Sequence, residues 1–120
     1  KVNRIANELP ATEIIGEDKG DLLILSWGGA CGSARSATEQ LQEDGFSVSQ
    51  VNLRWINPFP KDLGNILTQF KKVLIPEINN GQLIKLIRAE YLIDAQGYNV
   101  VRGKPLRASL LVEKAKELIG

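Results

Sequence analysis

Two short stretches concentrate the side chains best suited to chemistry. One carries Arg54, Trp55 and Asn57 just before Pro58-Phe59-Pro60, and the other carries Glu77, Asn79, Asn80 and Gln82 around Gly81. A guanidinium next to an indole is a combination enriched at binding hot spots. Carboxamides and a carboxylate in a loop can bind a ligand or cap a helix, and the carboxylate can also move a proton. A third group, Tyr98, Asn99, Arg102 and Lys104, could hold an anionic group or an acidic partner surface. Between a strand and a helix, Gly28–Ser33 could bind an anion through backbone N–H groups. It lacks the Lys-Ser/Thr ending of a P-loop and the spacing of a dinucleotide fingerprint, and a tight packing turn accounts for the same glycines. Cys31 stands in that loop at a helix start, which favours a thiolate. Without a histidine base its case as a nucleophile is poor.

The absences narrow the chemistry further. The chain has no histidine, so neither Ser-His-Asp nor Cys-His catalysis can be assembled from it, nor the usual His/Cys zinc sets. Its single cysteine forms no internal disulfide and is too few for an iron–sulfur cluster; it fits a reducing compartment and suggests the cytoplasm. Fifteen basic against fourteen acidic residues give a net charge of +1, which argues for no nucleic-acid partner. The longest apolar runs, 22–25 and 73–75, are far below the roughly 20 residues of a membrane span, and no signal peptide is evident. With no methionine and Lys at position 1, the chain is expected to be a piece of a longer polypeptide whose other parts complete the function.

The elements that must position these residues alternate along the chain. Residues 1–19 read as a polar lead-in or linker, with one short helix over 2–7, and 20–120 as a single domain. A continuous apolar strand spans 21–27, as a strand buried on both faces should. A helix over 34–43 buries Ala34, Ala37, Thr38 and Leu41 and stops at Gly45. A second strand covers 46–55. The next helix starts at Pro60, with Phe59, Leu63, Ile66, Leu67 and Phe70 facing the sheet. A strand over 72–76, a helix over 82–93, a short strand over 99–102 and a helix over 107–119 complete the series; the last helix buries Ala108, Leu111, Val112, Ala115 and Leu118. This alternation specifies a three-layer α/β domain, with Leu23, Ile24, Val51, Leu53, Val73, Leu74 and Ile75 in the sheet core. Loops leaving parallel strands gather at the carboxyl edge, so Arg54, Asn57, Glu77, Asn79 and Gln82 are expected on one rim.

Several of these motifs, in this order, resemble the C-terminal part of the alpha subunit of 2-oxoacid:ferredoxin oxidoreductases, the 2-oxoglutarate type above all. They are Leu53-Arg54-Trp55-Ile56-Asn57-Pro58-Phe59-Pro60, then Val73-Leu74-Ile75-Pro76-Glu77-Ile78-Asn79-Asn80-Gly81-Gln82-Leu83, then Arg88-Ala89-Glu90-Tyr91-Leu92-Ile93-Asp94, and Tyr98-Asn99-Val100-Val101-Arg102-Gly103-Lys104-Pro105. The resemblance covers nearly the whole chain. It implies a fold like the transketolase C-terminal domain, α/β/α around a mostly parallel five-stranded sheet with one antiparallel edge strand. Residue periodicity supplies four strands; the antiparallel fifth would lie in 12–16. Cys31 stands where relatives often have an aromatic residue.

The resemblance also implies a complex that oxidatively decarboxylates a 2-oxoacid with coenzyme A and passes electrons to ferredoxin. Thiamine diphosphate, magnesium and an iron–sulfur cluster would be held by other domains and the beta subunit, with no cofactor in this chain. On that reading the chain is a non-catalytic structural and interface domain, inactive alone. Its rim candidates are Arg54, Trp55, Asn57, Glu77, Asn79, Gln82, Tyr98, Asn99, Arg102 and Lys104, facing protein, substrate or coenzyme A. A second reading is an independent small-ligand or signalling α/β module. The first strand ends Ser26-Trp27-Gly28, with none of the carboxylates a phospho-receiver needs.

Overall fold

A computed structural model describes residues 14–53, 62–78, 82–91, 93, 95–100 and 106–119. Its centre is β2 (Gly20–Trp27), whose Leu22, Leu23, Ile24 and Leu25 are all fully buried. Only a strand covered on both faces can bury four consecutive apolar side chains. Parallel neighbours flank it: β3 (Val48–Leu53) on one side and β4 (Phe70–Ile78) on the other. Outside β4 lies parallel β5 (Gln96–Val100). Beyond β3 lies β1 (Ile14–Ile15), antiparallel, with Ile14 opposite Val51 and Ile15 opposite Gln50. The order β1-β3-β2-β4-β5 is the mostly parallel five-stranded sheet with one antiparallel edge strand. Among the described residues, Ile14 and Ile15 of the 1–19 segment are therefore part of the sheet.

Helices cover both faces. Helix α1 (Cys31–Glu43) follows a 3-10 turn at Gly28–Ala30 and buries Ala34, Ala37, Thr38 and Leu41. Together with α4 (Ala108–Ile119), which buries Leu111 and Ala115, it covers Leu22, Ile24, Val48 and Leu74. Ala108, Val112 and Leu118, also expected inside, are half-buried against that core. The opposite face of the sheet carries Leu23, Leu25, Val51, Leu53, Val73 and Ile75 under α2 (Leu63–Thr68) and α3 (Gln82–Tyr91). At the end of α1, Gly45 takes φ 89°, a left-handed conformation that glycine adopts without strain. The Gln40 carboxamide, then Lys116, hold the exposed Asp44 carboxyl below its usual range. Lys116 also lies 5.6 Å from the centre of the Phe46 ring, tying α4 to the segment after α1.

Several boundaries differ from the sequence expectation. β3 begins at Val48 and not 46, α2 at Leu63 and not 60, β4 runs on to Ile78 past 76, and α3 ends at Tyr91 before 93. Phe70 opens β4, paired with Gly20, instead of continuing α2. The helix ends at Thr68, two residues before Phe70, where Gln69 N–H turns back to Ile66 O, yet the Phe70 ring reaches the same core. The last strand begins at Gln96, ahead of the expected residue 99. Polar Gln96, Asn99 and bare Gly97 hide it from any hydrophobic pattern, and its ladder to β4, from Leu74↔Gln96 to Ile78↔Val100, defines it. Finally, α1 starts at Cys31, three residues before the expected 34. The helix proposed over 2–7, Phe59, Pro60 and residues 101–102 lie outside the described residues.

Candidate functional site

Ser26, Asn52, Glu77 and Asn99 are the penultimate residues of β2, β3, β4 and β5. Four parallel strands thus deliver them to one edge. The chain leaves β2 for the α1/α4 face and β4 for the α2/α3 face, so its direction reverses between these neighbouring strands. Open α/β sheets bind ligands outside such a reversal.

Glu77 is buried, and its carboxylate bridges from strand to helix. Oε1 accepts from Leu83 N–H at 2.7 Å and Oε2 from Ile84 N–H at 3.2 Å. A carboxylate on the first turn satisfies two orphan donors and complements the helix dipole. Asn79 and Asn80, offered by the sequence as caps of this helix, lie outside the described residues. With both oxygens occupied by backbone donors, this carboxylate is a fixed acceptor. The backbone of Gln82 opens α3, and Asn99 stands opposite Glu77 in the β4–β5 ladder. Tyr98, opposite Pro76, packs its half-buried ring on the α1/α4 side. Arg54, Trp55, Asn57, Asn79, Arg102 and Lys104 lie outside the described residues.

A buried polar cluster that sequence reasoning passed over lies on the α1 side of the same edge. Ser26 and Gln50 are fully buried and Asn52 half-buried. Ser26 Oγ donates to Asn52 Oδ1 at 2.5 Å, and Gln50 Nε2 donates to the same oxygen at 2.6 Å. Gln50 Nε2 also lies 3.3 Å from Ser26 Oγ and 3.3 Å from the carbonyl of Cys31, the first residue of α1. Gln50 Oε1 finds no donor among the described residues. Gln50 and Asn52, alternating on one face of β3, were the available signal. Nearby, Ser33 Oγ donates to Leu106 O at 2.6 Å and holds the start of α1 against the lead into α4. At the opposite, amino edge, a cavity of ≈ 420 Å³ is lined by Gly16, Gln42, Phe46, Ser47 and Ser49. Ser49 and Gln42 donate there to the Glu17 and Val48 carbonyls, which ties local turns.

These donors do not suit a metal or an iron–sulfur cluster. Among the described residues no three His, Cys, Asp or Glu side chains converge, and Cys31 is a single half-buried thiol. Glu77 is taken by backbone, while Asp21 and Asp44 pair with Lys71 and Lys116. No helix among the described residues is long and apolar enough to cross a membrane.

Comparison with known proteins agrees with this architecture. The 2-oxoglutarate oxidoreductase subunit KorA of Mycobacterium tuberculosis is 39% identical over 83 residues, 69% of this chain and 13% of that protein. The 2-oxoglutarate:ferredoxin oxidoreductase of Magnetococcus marinus, solved with 2-oxoglutarate, coenzyme A and succinyl-CoA bound, superposes with a TM-score of 0.90 at 31% identity. That match covers 98% of this chain and 21% of the solved one, so the chain spans a small part of these relatives. A split-gene transketolase shares the fold, with a TM-score of 0.66 at 19% identity over 89% of this chain and 41% of its own. The family model for pyruvate:ferredoxin oxidoreductase core domain II matches residues 20–104, and with β2 through β5 inside that match, the chain belongs to this family.

Proposed function

We propose that this chain serves as a structural and interface domain in the alpha subunit of a 2-oxoacid:ferredoxin oxidoreductase acting on 2-oxoglutarate. The observation that carries the proposal is the near-complete superposition on one part of a much longer oxidoreductase chain. The enzyme would decarboxylate its 2-oxoacid with coenzyme A and reduce ferredoxin in the cytoplasm. Thiamine diphosphate, magnesium and the iron–sulfur cluster belong to its other domains and to the beta subunit. Residues 20–120 are the domain proper on this proposal, joined by β1 from the 1–19 segment that leads into it.

The geometry supports a rim at the carboxyl edge. Because β1 runs antiparallel, Ile14 lies opposite Val51 near the end of β3, so β1 begins close to that same edge. The Glu77 and Ser33 ties fix the first turns of α3 and α1 there, giving the loops between them a rigid base. Arg54, Trp55, Asn57, Asn79, Gln82, Tyr98, Asn99, Arg102 and Lys104 are the proposed contact residues, with Glu77 supporting them. Arg54→Ala and Asn79→Ala in the intact enzyme test this reading. Assembly or turnover should fall while melting of the isolated chain stays within about 0.5 kcal/mol of the parent. Normal assembly and turnover in both variants would reject the interface role.

A further inference from the structure

At the amino edge, away from the rim, the chain leaves room that its own side chains do not fill. The ≈ 420 Å³ cavity there lies between the turn after β1 and the turn after α1. Each turn carries a glycine in the left-handed region, Gly16 at φ 115° and Gly45 at φ 89°. A Cβ at Gly16 would lie 2.7 Å from both Gln42 Nε2 and Ser49 Oγ, whereas one at Gly45 would meet nothing within 4 Å. The first glycine lets the two segments close together, and the second leaves its own side open. Such a volume suits a small organic molecule and exceeds what one water needs. The wall presents acceptors. Ser49 Oγ spends its proton on the Glu17 carbonyl at 2.6 Å, and Gln42 Nε2 donates to Val48 O at 3.0 Å. Ser49 Oγ and Gln42 Oε1 are thereby left as acceptors, with no donor among the described residues. Glu17 is the one charged residue of the wall; it is exposed and pairs with no cation among the described residues. Helix α1 ends at this cavity and adds the negative end of its dipole. Lys116, over the Phe46 ring, is already engaged by Asp44 at 3.3 Å.

We infer that this cavity binds a small primary alkylammonium, its NH3+ on the Glu17 carboxylate and the Gln42 and Ser49 oxygens, its short chain against Phe46 and Val48. Three N–H donors and one positive charge match a wall of acceptors with one negative charge. A phosphate or carboxylate would face Glu17 and a helix C-terminus with no cation in the wall. A divalent metal calls for more carboxylates than this wall holds, and among the described residues no three His, Cys, Asp or Glu converge. The contact rim proposed for polypeptide lies at the other end of the strands, and the exposed Glu17, Gln42 and Ser47 give the cavity a polar mouth. The occupant is therefore a free amine from solution. Bound there, it joins the turn after β1 to the end of α1.

The test titrates n-butylammonium chloride into the full-length alpha subunit assembled with its beta subunit, read by calorimetry at constant ionic strength. The neutral and anionic counterparts are 1-butanol and sodium butyrate. The amine should bind saturably with a Kd of about 1 mM, within reach of so small a ligand. The two counterparts should bind at least about tenfold more weakly, for want of the charge-assisted contact. Glu17→Gln should weaken amine binding by about tenfold for the same reason. Glu43→Gln, which removes an exposed carboxylate at the end of α1 outside the cavity wall, should leave it nearly unchanged. No saturable binding up to about 20 mM overturns the inference. Equal binding of 1-butanol, or equal losses in the two variants, overturns it as well. Should Glu17→Gln not fold, a structure of the parental assembly with n-butylammonium decides: a nitrogen within about 3.2 Å of the Glu17 carboxylate supports the inference. An amine bound elsewhere, or a cavity filled by polypeptide of the assembly, overturns it.

Discussion

Glu77 and Tyr91 show how much a single side chain contributes to holding the layers of this domain together. The Glu77 carboxylate accepts two N–H groups at the start of α3, and a neutral amide can accept only one of them while setting its own NH2 against the other. Glu77→Gln should therefore lower stability by about 0.5–2 kcal/mol, the usual scale of a lost helix cap. Urea unfolding of the chain measures it, and no change would mean the cap is dispensable. Tyr91, at the end of α3, packs its ring against Gly64 of α2; a Cβ at Gly64 would lie 3.1 Å from that ring. Burial first, then Glu90 and Asp62, push the Tyr91 hydroxyl up to about 12. The unfolded phenol ionises near 10, so between about 10 and about 12 the unfolded state releases its proton more readily. Stability from this group is accordingly intact below about pH 10 and declines as pH rises through that window. Melting followed across it should fall more steeply for the parent than for Tyr91→Phe; parallel curves would contradict the shift.

The apolar elements carry most of the cohesion. Leu74 in β4 is fully buried between β2 and β5 and faces the α1/α4 core. Leu74→Ala should destabilise the chain by about 2–5 kcal/mol, as large-to-small core changes do, and denaturant titration reads it directly. A loss below about 0.5 kcal/mol would be inconsistent with this packing. Elements of this kind were legible in the sequence because burial imposes a period: Leu22–Leu25 runs continuously, and Ala34, Ala37, Thr38 and Leu41 recur at helical spacing. β5 was misplaced because an edge strand can be defined by backbone bonds to one neighbour, whatever its side chains. The Gln50–Asn52 lock was hidden for a related reason. Its partner Ser26 lies on another strand, and only the pairing of Ser26 with Asn52 in the β2–β3 register brings the three together.

For the molecule as a whole, the donor inventory predicts dependence on other parts of the enzyme. The chain by itself should give a flat calorimetric titration with thiamine diphosphate and magnesium and should not oxidise a 2-oxoacid. Micromolar binding would show that the cofactor reaches this domain after all. The direction of β1 has a mechanical consequence as well. Ile14 lies near the carboxyl edge, whereas α4 ends at the amino edge, where Lys72 Nζ donates to Leu118 O at 2.7 Å. A tension applied through the backbone on either side of the domain would run nearly along the strands. It would load the β1–β3 ladder in shear, which among the described residues joins Ile14 and Ile15 to their partners. The first yield under such a load would be the slip of this edge strand, with the four parallel strands left standing, so the domain would behave as a stiff link with a weaker coupling at one end.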